Sequence, residues 1–505
     1  MDRRVFALLI ILTLGILASR DAIAGSVSTI STISIQAGGA STEKRAAEQY
    51  SQLIVKFRDG DKAAMMIAIR SAYQRMGMSD ASVLPTQYKT LSLGMDVIRF
   101  PSEVPADHAK ALVRELRRDT RFDWVMIDAP MELLGRGQAS AHPNDPDYAH
   151  QWYLHDAVGG INVPPAWALS RGEGMTIAVI DSGYVQHYDL SANLLPGYDL
   201  VEDADYSGDG DGIDPDARDE GGTGWHGAHI AGIAAAIAHN GQLIAGVAPQ
   251  ARILPVRVAD VEGKVLTSAV LNGIVWAVGG DVPGLPLNPH TAEIINLSLA
   301  MVNWDEEGAV PCSARPNGWV DVVYYALSKG VAIVAGAGNG FLGVHQPAEL
   351  FVPASCPGVI TVAGTTRSGT KAGYSNYSSQ TIADQYGIEP VVDIAAPGGK
   401  SGQGEGIWSL VNRGANFPLP SPGGDDVAEY FGTSMATPQV AATVALMQSA
   451  RARIGKGPLA PQDIREILAF TARVLPEAPP DDQLMGAGIV NAGAAVEAAL
   501  VWDER

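Results

Sequence analysis

The sequence predicts an α/β protein with a mostly parallel central sheet covered by helices on both sides, preceded by a small α+β unit. Three observations carry that prediction. Continuous apolar runs recur at 175–180, 253–258, 293–299, 330–335, 359–362 and 391–395, as expected of strands buried on both faces. Helical stretches such as 268–278 and 321–328 separate several of them, which is the alternation that builds a helix-covered parallel sheet. Ahead of this region lies a shorter strand–helix–strand–helix–strand pattern, closed by a stretch rich in Gly, Ser, Pro and Asn at 135–146 that reads as an exposed linker.

Taken in order, Asp2-Arg3-Arg4 precedes an apolar run over 5–18, and Ala22-Ile23-Ala24 places small residues before Gly25. That is the layout of a signal peptide over 1–24, and the run is short for a bilayer span. The mature chain is therefore expected outside the cytoplasm: extracellular, periplasmic or held at the cell surface. No later stretch is apolar over a spanning length, so a mature form that does not span the membrane is expected. Residues 25–47 read as a flexible lead-in. In the small unit, 51–57 reads as a strand, the stretch after Asp61 as a helix, 91–100 as a strand, 106–120 as a helix and 124–133 as a last strand. Two helices would then cover one face of a small sheet. The Asp- and Gly-rich segment 200–222 and the Gly- and Pro-rich segment 402–428 read as surface loops.

Composition excludes some classes. The chain has 55 acidic against 35 basic residues, a net charge of -20, so it lacks the basic footprint of a nucleic-acid binder. Its 505 residues, 47% hydrophobic, suffice for a large core. Two cysteines are present; they would be buried thiols in a reducing cell and would pair after export.

Three segments expose a reactive side chain where a strand ends or a helix begins. Asp181 closes the first buried strand as Val179-Ile180-Asp181-Ser182-Gly183, and ligands of open α/β sheets lie beyond the carboxyl ends of strands. His226 sits in Trp225-His226-Gly227-Ala228-His229, leading into an Ala-rich apolar helix. Ser434 sits in Gly432-Thr433-Ser434-Met435-Ala436-Thr437-Pro438. The Gly432 turn would put its hydroxyl at a helix N-terminus, with Pro438 tolerated in the first turn. A serine hydroxyl needs a base, and an imidazole base needs an orienting carboxylate. Singly these residues read as a turn Asp, a structural His and a helix-capping Ser. Together they read as a site.

These segments resemble the three signature blocks of the subtilisin-like serine proteases, in that family's chain order, and the resemblance runs from about residue 144 to the C-terminus. It implies a subtilisin-like three-layer fold, with Ser434 as nucleophile, His226 as general base and acid, and Asp181 as the orienting carboxylate. Gly336-Ala337-Gly338-Asn339-Gly340 resembles the oxyanion block. Asn339 would donate its amide beside the Ser434 N–H, and Gly336, Ala337 and Gly338 would line the cleft. Ser298-Leu299-Ala300 matches the strand that pairs with substrate backbone. Two positions depart from the pattern: Ala228 stands where Thr is usual, and Ala300, where Gly is usual, would narrow the cleft. Phe351, beside Val352-Pro353-Ala354, would shape the floor of the primary pocket. His229 reads as structural, because zinc helices space their histidines at i and i+4 around a Glu.

Asp209, Asp211, Asp214 and Asp216 concentrate carboxylates in a turn-rich loop, which suits calcium; a solvated acidic loop is the alternative. Relatives carry a calcium-binding insertion there, and Asp189 with Asn240 matches a second calcium site of the family. Cys312 and Cys356 flank the oxyanion block, and the resemblance implies a disulfide between them, two free thiols being the alternative. Residues 48–134 look like the family's propeptide, 135–143 like a linker with the processing site, and 144–505 like the peptidase domain. The resemblance thus implies a secreted serine endopeptidase that cleaves protein or peptide substrates through an acyl-enzyme. Its own propeptide would inhibit it, calcium would be structural, no organic cofactor would be needed, and a monomer is expected. The rival is a catalytically impaired scaffold acting as a secreted binding protein, with Ala228 and Ala300 as signs of decay. A lipase would need Gly-x-Ser-x-Gly, which Ser434 lacks.

Overall fold

A computed structural model describes residues 49–58, 60–77, 84–128, 130–133, 148–306, 308–340 and 344–502. The segments expected to be a signal peptide (1–24), a flexible lead-in (25–47) and a processing linker (135–143) lie outside the described residues.

The N-terminal unit runs β1 (Gln49–Phe57), α1 (Lys62–Arg75), β2 (Thr86–Thr90), β3 (Met95–Pro105), α2 (Ala106–Arg117) and β4 (Phe122–Ile127). Its four strands form one antiparallel sheet in the order β2-β3-β1-β4. Asp61 starts α1 by accepting the backbone N–H groups of Ala63 and Ala64, which satisfies donors the helix itself cannot. Leu53, Val55, Ile98 and Val125 pack on the helices, with Ile69 and Leu112 opposite. Ile54, Val97 and Trp124 point the other way, into a core shared with the following domain. The period-2 alternation of a strand thus divides one short sheet between two cores.

Two strand readings need correction here. The strand expected over 91–100 starts only at Met95, because Leu91–Gly94 make a turn closed by Leu91 N–H to Met95 O at 2.8 Å; 86–90 is a separate strand. The single strand expected over 124–133 is two. β4 ends at Ile127, and β5 (Pro130–Leu133) joins a different sheet.

The large domain opens with α3 (Trp152–His155) and α4 (Val163–Trp167), followed by β6 (Thr176–Asp181), β7 (Tyr198–Asp199), α5 (Ala204–Ser207), α6 (His226–Ala235) and β8 (Arg252–Arg257). Then come β9 (Lys264–Leu266), α7 (Thr267–Ala277), β10 (Ile294–Leu297), β11 (Leu299–Val302), α8 (Gly318–Ser328) and β12 (Ala332–Gly336). The remainder is β13 (Phe351–Val352), β14 (Ile360–Thr365), α9 (Gln380–Tyr386), β15 (Val392–Pro397), β16 (Ile407–Asn412), β17 (Asp425–Tyr430), α10 (Thr433–Arg453), α11 (Pro461–Thr471) and α12 (Ala492–Val501).

The central sheet has seven strands in the order β15-β14-β12-β10-β6-β8-β7, and its pairings are parallel. β6 shows why its sequence is apolar throughout. Ile177 and Val179 face one core with residues of α6, α10 and α12, whereas Ala178 and Ile180 face the other with residues of α7 and α8. Burying an Ile or Val fully is worth roughly 1.5–3 kcal/mol, so both faces contribute. This is the three-layer arrangement the sequence predicts.

The 402–428 segment is a further correction: rather than a surface loop throughout, it contains most of the β16–β17 antiparallel hairpin. Ile407, Leu410, Val427 and Ala428 are buried in the core shared with α6. The 200–222 segment does run outside the central sheet, but Ser207, Ala217 and Asp219 within it are buried.

Among the described residues, three ion pairs between the two regions share one polarity. Lys56 pairs with Asp321 at 2.8 Å, Arg117 with Glu306 at 3.7 Å, and Lys89 with Glu202. In each pair the cation comes from the N-terminal unit. β5 adds a backbone link, lying antiparallel between β11 and β9.

Candidate active site

Asp181 ends β6 and is fully buried. Its Oδ1 accepts the Ser182 N–H at 2.7 Å and faces His226 Nδ1 at 2.8 Å. A carboxylate on Nδ1 places that ring proton there and directs Nε2 to proton transfer. His226 opens α6, and the helix starts this close to β6 because Gly227 has no side chain: a Cβ there would sit 2.2 Å from Gly183 O. Gly227 N–H donates to Ser182 Oγ at 2.8 Å.

Ser182 is held in turn by Asp219, which the sequence reading missed. Asp219 Oδ2 accepts the hydroxyls of Ser182 and Thr223, both at 2.7 Å, and Oδ1 accepts Gly221 N–H at 2.9 Å. Burial pushes its carboxyl up to about 6. Within so acidic a segment nothing local distinguished Asp219 from its neighbours.

Ser434 is the second residue of α10, after Gly432 at φ +151°, a backbone region that glycine favours. Its Oγ lies 3.3 Å from the carbonyl oxygen of Ser298. Pro438 falls in the second turn, since the helix begins at Thr433, and not in the first as expected. It therefore removes the N–H that would reach Ser434 O. Ser298 Oγ supplies the replacement donor at 2.9 Å, itself accepting from Asn296 Nδ2 at 3.0 Å. The proline and Ser298 are thus one device around the Ser434 carbonyl.

Asn339 follows β12, and its Oδ1 accepts both the N–H of Thr433, at 2.8 Å, and the Thr433 hydroxyl, at 3.0 Å. A backbone N–H requires an acceptor, so the carboxamide is oriented with its NH2 as the end left to donate. Gly338 N–H meets Thr433 Oγ1 at 3.3 Å, and Ala337 N–H bonds Val362 O at 2.8 Å. Gly336 closes β12. The structure thereby brings the 338–339 segment against the first turn of the helix that carries Ser434.

Leu299 and Ala300 lie on β11, paired with the backbone of Leu133 and Glu132 in β5. Ala300, Phe351 and Ala354 form a small buried apolar cluster. Cys312 and Cys356 are bonded, closing a loop that contains Asn339. His229 is structural, as expected. Its Nε2 lies 3.1 and 3.2 Å from the carbonyls of Ile407 and Ala428, its ring stacks on Tyr430, and burial pushes it down to about 3. The departures at Ala228 and Ala300 are buried and leave the Asp181–His226 bond in place.

The acidic residues divide. Asp209, Asp211 and Asp214 can bring one oxygen each within 4.8 Å of one another. Hydrogen bonding to Asp209 and the charge of Asp214 push the Asp211 carboxyl up, a repulsion that a hard cation would relieve. Asp216 is turned elsewhere, toward the Tyr184 hydroxyl at 3.3 Å and Arg218 N–H at 3.2 Å. Asp189 and Asn240 do meet, at 2.6 Å, but Asp189 also accepts Ile244 N–H at 3.0 Å. Burial pushes Asp189 up to about 6.

An Asp–His pair at the end of one parallel strand and a serine at a helix start are the parts of a serine hydrolase site. Comparison with known proteins narrows the class. The subtilase family model matches residues 172–488. The extracellular protease of Xanthomonas campestris is 36% identical over 475 residues, spanning 90% of this chain and 74% of that one. The extracellular basic protease of Dichelobacter nodosus is 31% identical, over 95% and 75% of the two chains. A solved protease structure from Pseudoalteromonas arctica, 37% identical, superposes with a TM-score of 0.61 over 71% of this chain and 100% of that one. The chain belongs to the subtilase family and is a serine endopeptidase.

Proposed function

We propose that this chain is a secreted precursor in which residues 48–134 are an inhibitory propeptide, 135–143 carry the processing site, and 144–505 are the peptidase. The observation that carries the reading is β5, whose backbone pairs on one side with β11 and on the other with β9. A strand inserted there occupies the place an extended peptide substrate would take, by the strand-addition mode of recognition. The extracellular protease names of the two relatives support export. So does the disulfide, because such bonds persist outside the reducing cytosol. Among the described residues no helix is long and apolar enough to cross a membrane.

In the reaction, Ser434 Oγ attacks the scissile carbonyl carbon while His226 takes its proton. Asp181 holds the Nδ1–H and stabilises the imidazolium. Asn339 Nδ2 and the Ser434 N–H donate to the oxygen that becomes negative. The tetrahedral adduct collapses to an acyl-enzyme as His226 returns its proton to the leaving amine, and water then repeats the sequence. Asp209, Asp211 and Asp214 would hold calcium, which would stiffen the segment between Asp181 and His226 and take no part in bond cleavage.

The test is to incubate the purified full chain beside Ser434→Ala and follow size and casein hydrolysis. The wild type is expected to cut itself within 135–143 and to digest casein, with the variant staying whole and inert. Self-cleavage by the variant, or none by the wild type with and without calcium, would overturn the reading.

A further inference from the structure

Asn339 sits in a turn whose flanks are Gly338 at φ +105° and Gly340 at φ +81°. Two such glycines let the chain adopt the turn but provide no side chain to hold it there. Beside the Thr433 contacts to the Asn339 side chain and Gly338 N–H, the turn's backbone is held by Asn376, in the connection between β14 and α9. Its Nδ2 donates to Ala337 O at 3.0 Å, and its N–H donates to Gly338 O at 2.9 Å. Its Oδ1 accepts Gly340 N–H at 3.0 Å and Gln346 N–H at 2.7 Å. One fully buried residue therefore grips the backbone on both sides of Asn339. The contact is close: a Cβ on Gly338 would lie 2.5 Å from Asn376 Nδ2. Asn376 is itself fixed to the sheet, since Ser375 Oγ donates to Asn376 O at 2.8 Å and accepts Gly364 N–H at 2.9 Å.

We propose that Asn376 is a positioning residue for the reaction, setting the place of the Asn339 amide through the 337–340 backbone without touching substrate. The proposal rests on the reading of Asn339 as the oxyanion donor. Such a donor is effective only when held where the negative oxygen forms, and a displacement of a fraction of an ångström lowers kcat more than KM.

The experiment is a double-mutant cycle on the secreted enzyme with a chromogenic peptide. Rates are counted per site titrated with a serine-directed phosphonate, so that misfolded molecules drop out. Asn376→Ala is expected to lower kcat on the order of 10-fold with KM changed less than about twofold, and Asn339→Ala to lower it roughly 100- to 1000-fold. In the Asn339→Ala background the Asn376→Ala change should add less than about twofold. Asn376→Asp, which keeps the side chain's size and the acceptor for the Gly340 and Gln346 N–H groups but loses the donor to Ala337 O, provides the same cycle if the alanine variant yields no titratable sites. A full additional loss in the Asn339→Ala background, or an Asn376→Ala enzyme with unchanged kcat, overturns the positioning role while leaving Asn339 as donor. An Asn339→Ala enzyme of normal kcat removes the oxyanion reading and this proposal with it.

Discussion

The turn after Asp181 is braced to the start of α6 by a buried carboxylate, Asp219. Asp219 reaches Ser182 and, through it, the N–H of Gly227, so the elbow after β6 and the start of α6 are fastened to each other. Burying that carboxylate has a measurable cost. Asp219 sits at about 6 in the fold, above the ordinary 3.8. A carboxyl raised on folding favours the native state when protonated, so its stabilising share is full below about pH 4 and declines as pH rises through about 6. Asp219→Asn does not titrate. Relative to wild type, the variant should therefore gain stability between about pH 4 and pH 8, by about 3 kcal/mol. Thermal unfolding of both proteins across that range checks it, and a constant difference would contradict the assignment. Neither Asp219 nor Asn376 stood out in the sequence, because each acts on residues far along the chain. Asp181, His226 and Ser434 did, because their immediate neighbours set their geometry.

Among the elements, α10 shows a proline accommodated by a side chain from outside the helix. Pro438 leaves Ser434 O without its helical donor, and Ser298 Oγ fills the gap at 2.9 Å. Ser298→Ala should destabilise the fold by about 1–3 kcal/mol, the cost of a buried acceptor left unsatisfied. Adding Pro438→Ala should recover part of that loss, because an alanine there restores a backbone N–H at the right place. Denaturant unfolding of the two single variants and the double variant tests this, and simple additivity would contradict it. Elements whose own sequence pattern decided them were legible. β6 is apolar on both faces and was read to within a residue. The break between β4 and β5 was not legible, since Trp124 to Leu133 is largely apolar and only the pairing with β11 and β9 separates the two strands. β16 and β17 were hidden by the Gly and Pro residues of the turn joining them; their burial depends on α6, to which no local signal points.

For the whole molecule, the sequence carried both the parallel sheet and its two helical layers. The N-terminal sheet turns Ile54, Val97 and Trp124 into the same core as α7 and α8, so the unit reads as a cover built for this surface. Its cations meet Asp321, Glu202 and Glu306, a polarity that fits an acidic peptidase. Such surface pairs add specificity more than strength, and the apolar contact and the β5 ladder carry the attachment. Sequence periodicity cannot reveal that attachment, because it joins two separately folded patterns. The proposed chemistry of the whole assembly, however, turns on one oxygen atom, Ser434 Oγ as the nucleophile. The measurement that tests it most directly is mass mapping after labelling the processed wild-type enzyme with a fluorophosphonate. One phosphonyl group per molecule, placed on Ser434, lost when His226 is replaced by Ala and accompanied by loss of casein hydrolysis, is the predicted result. A label on another serine, such as Ser182, or full labelling with activity retained, would contradict it.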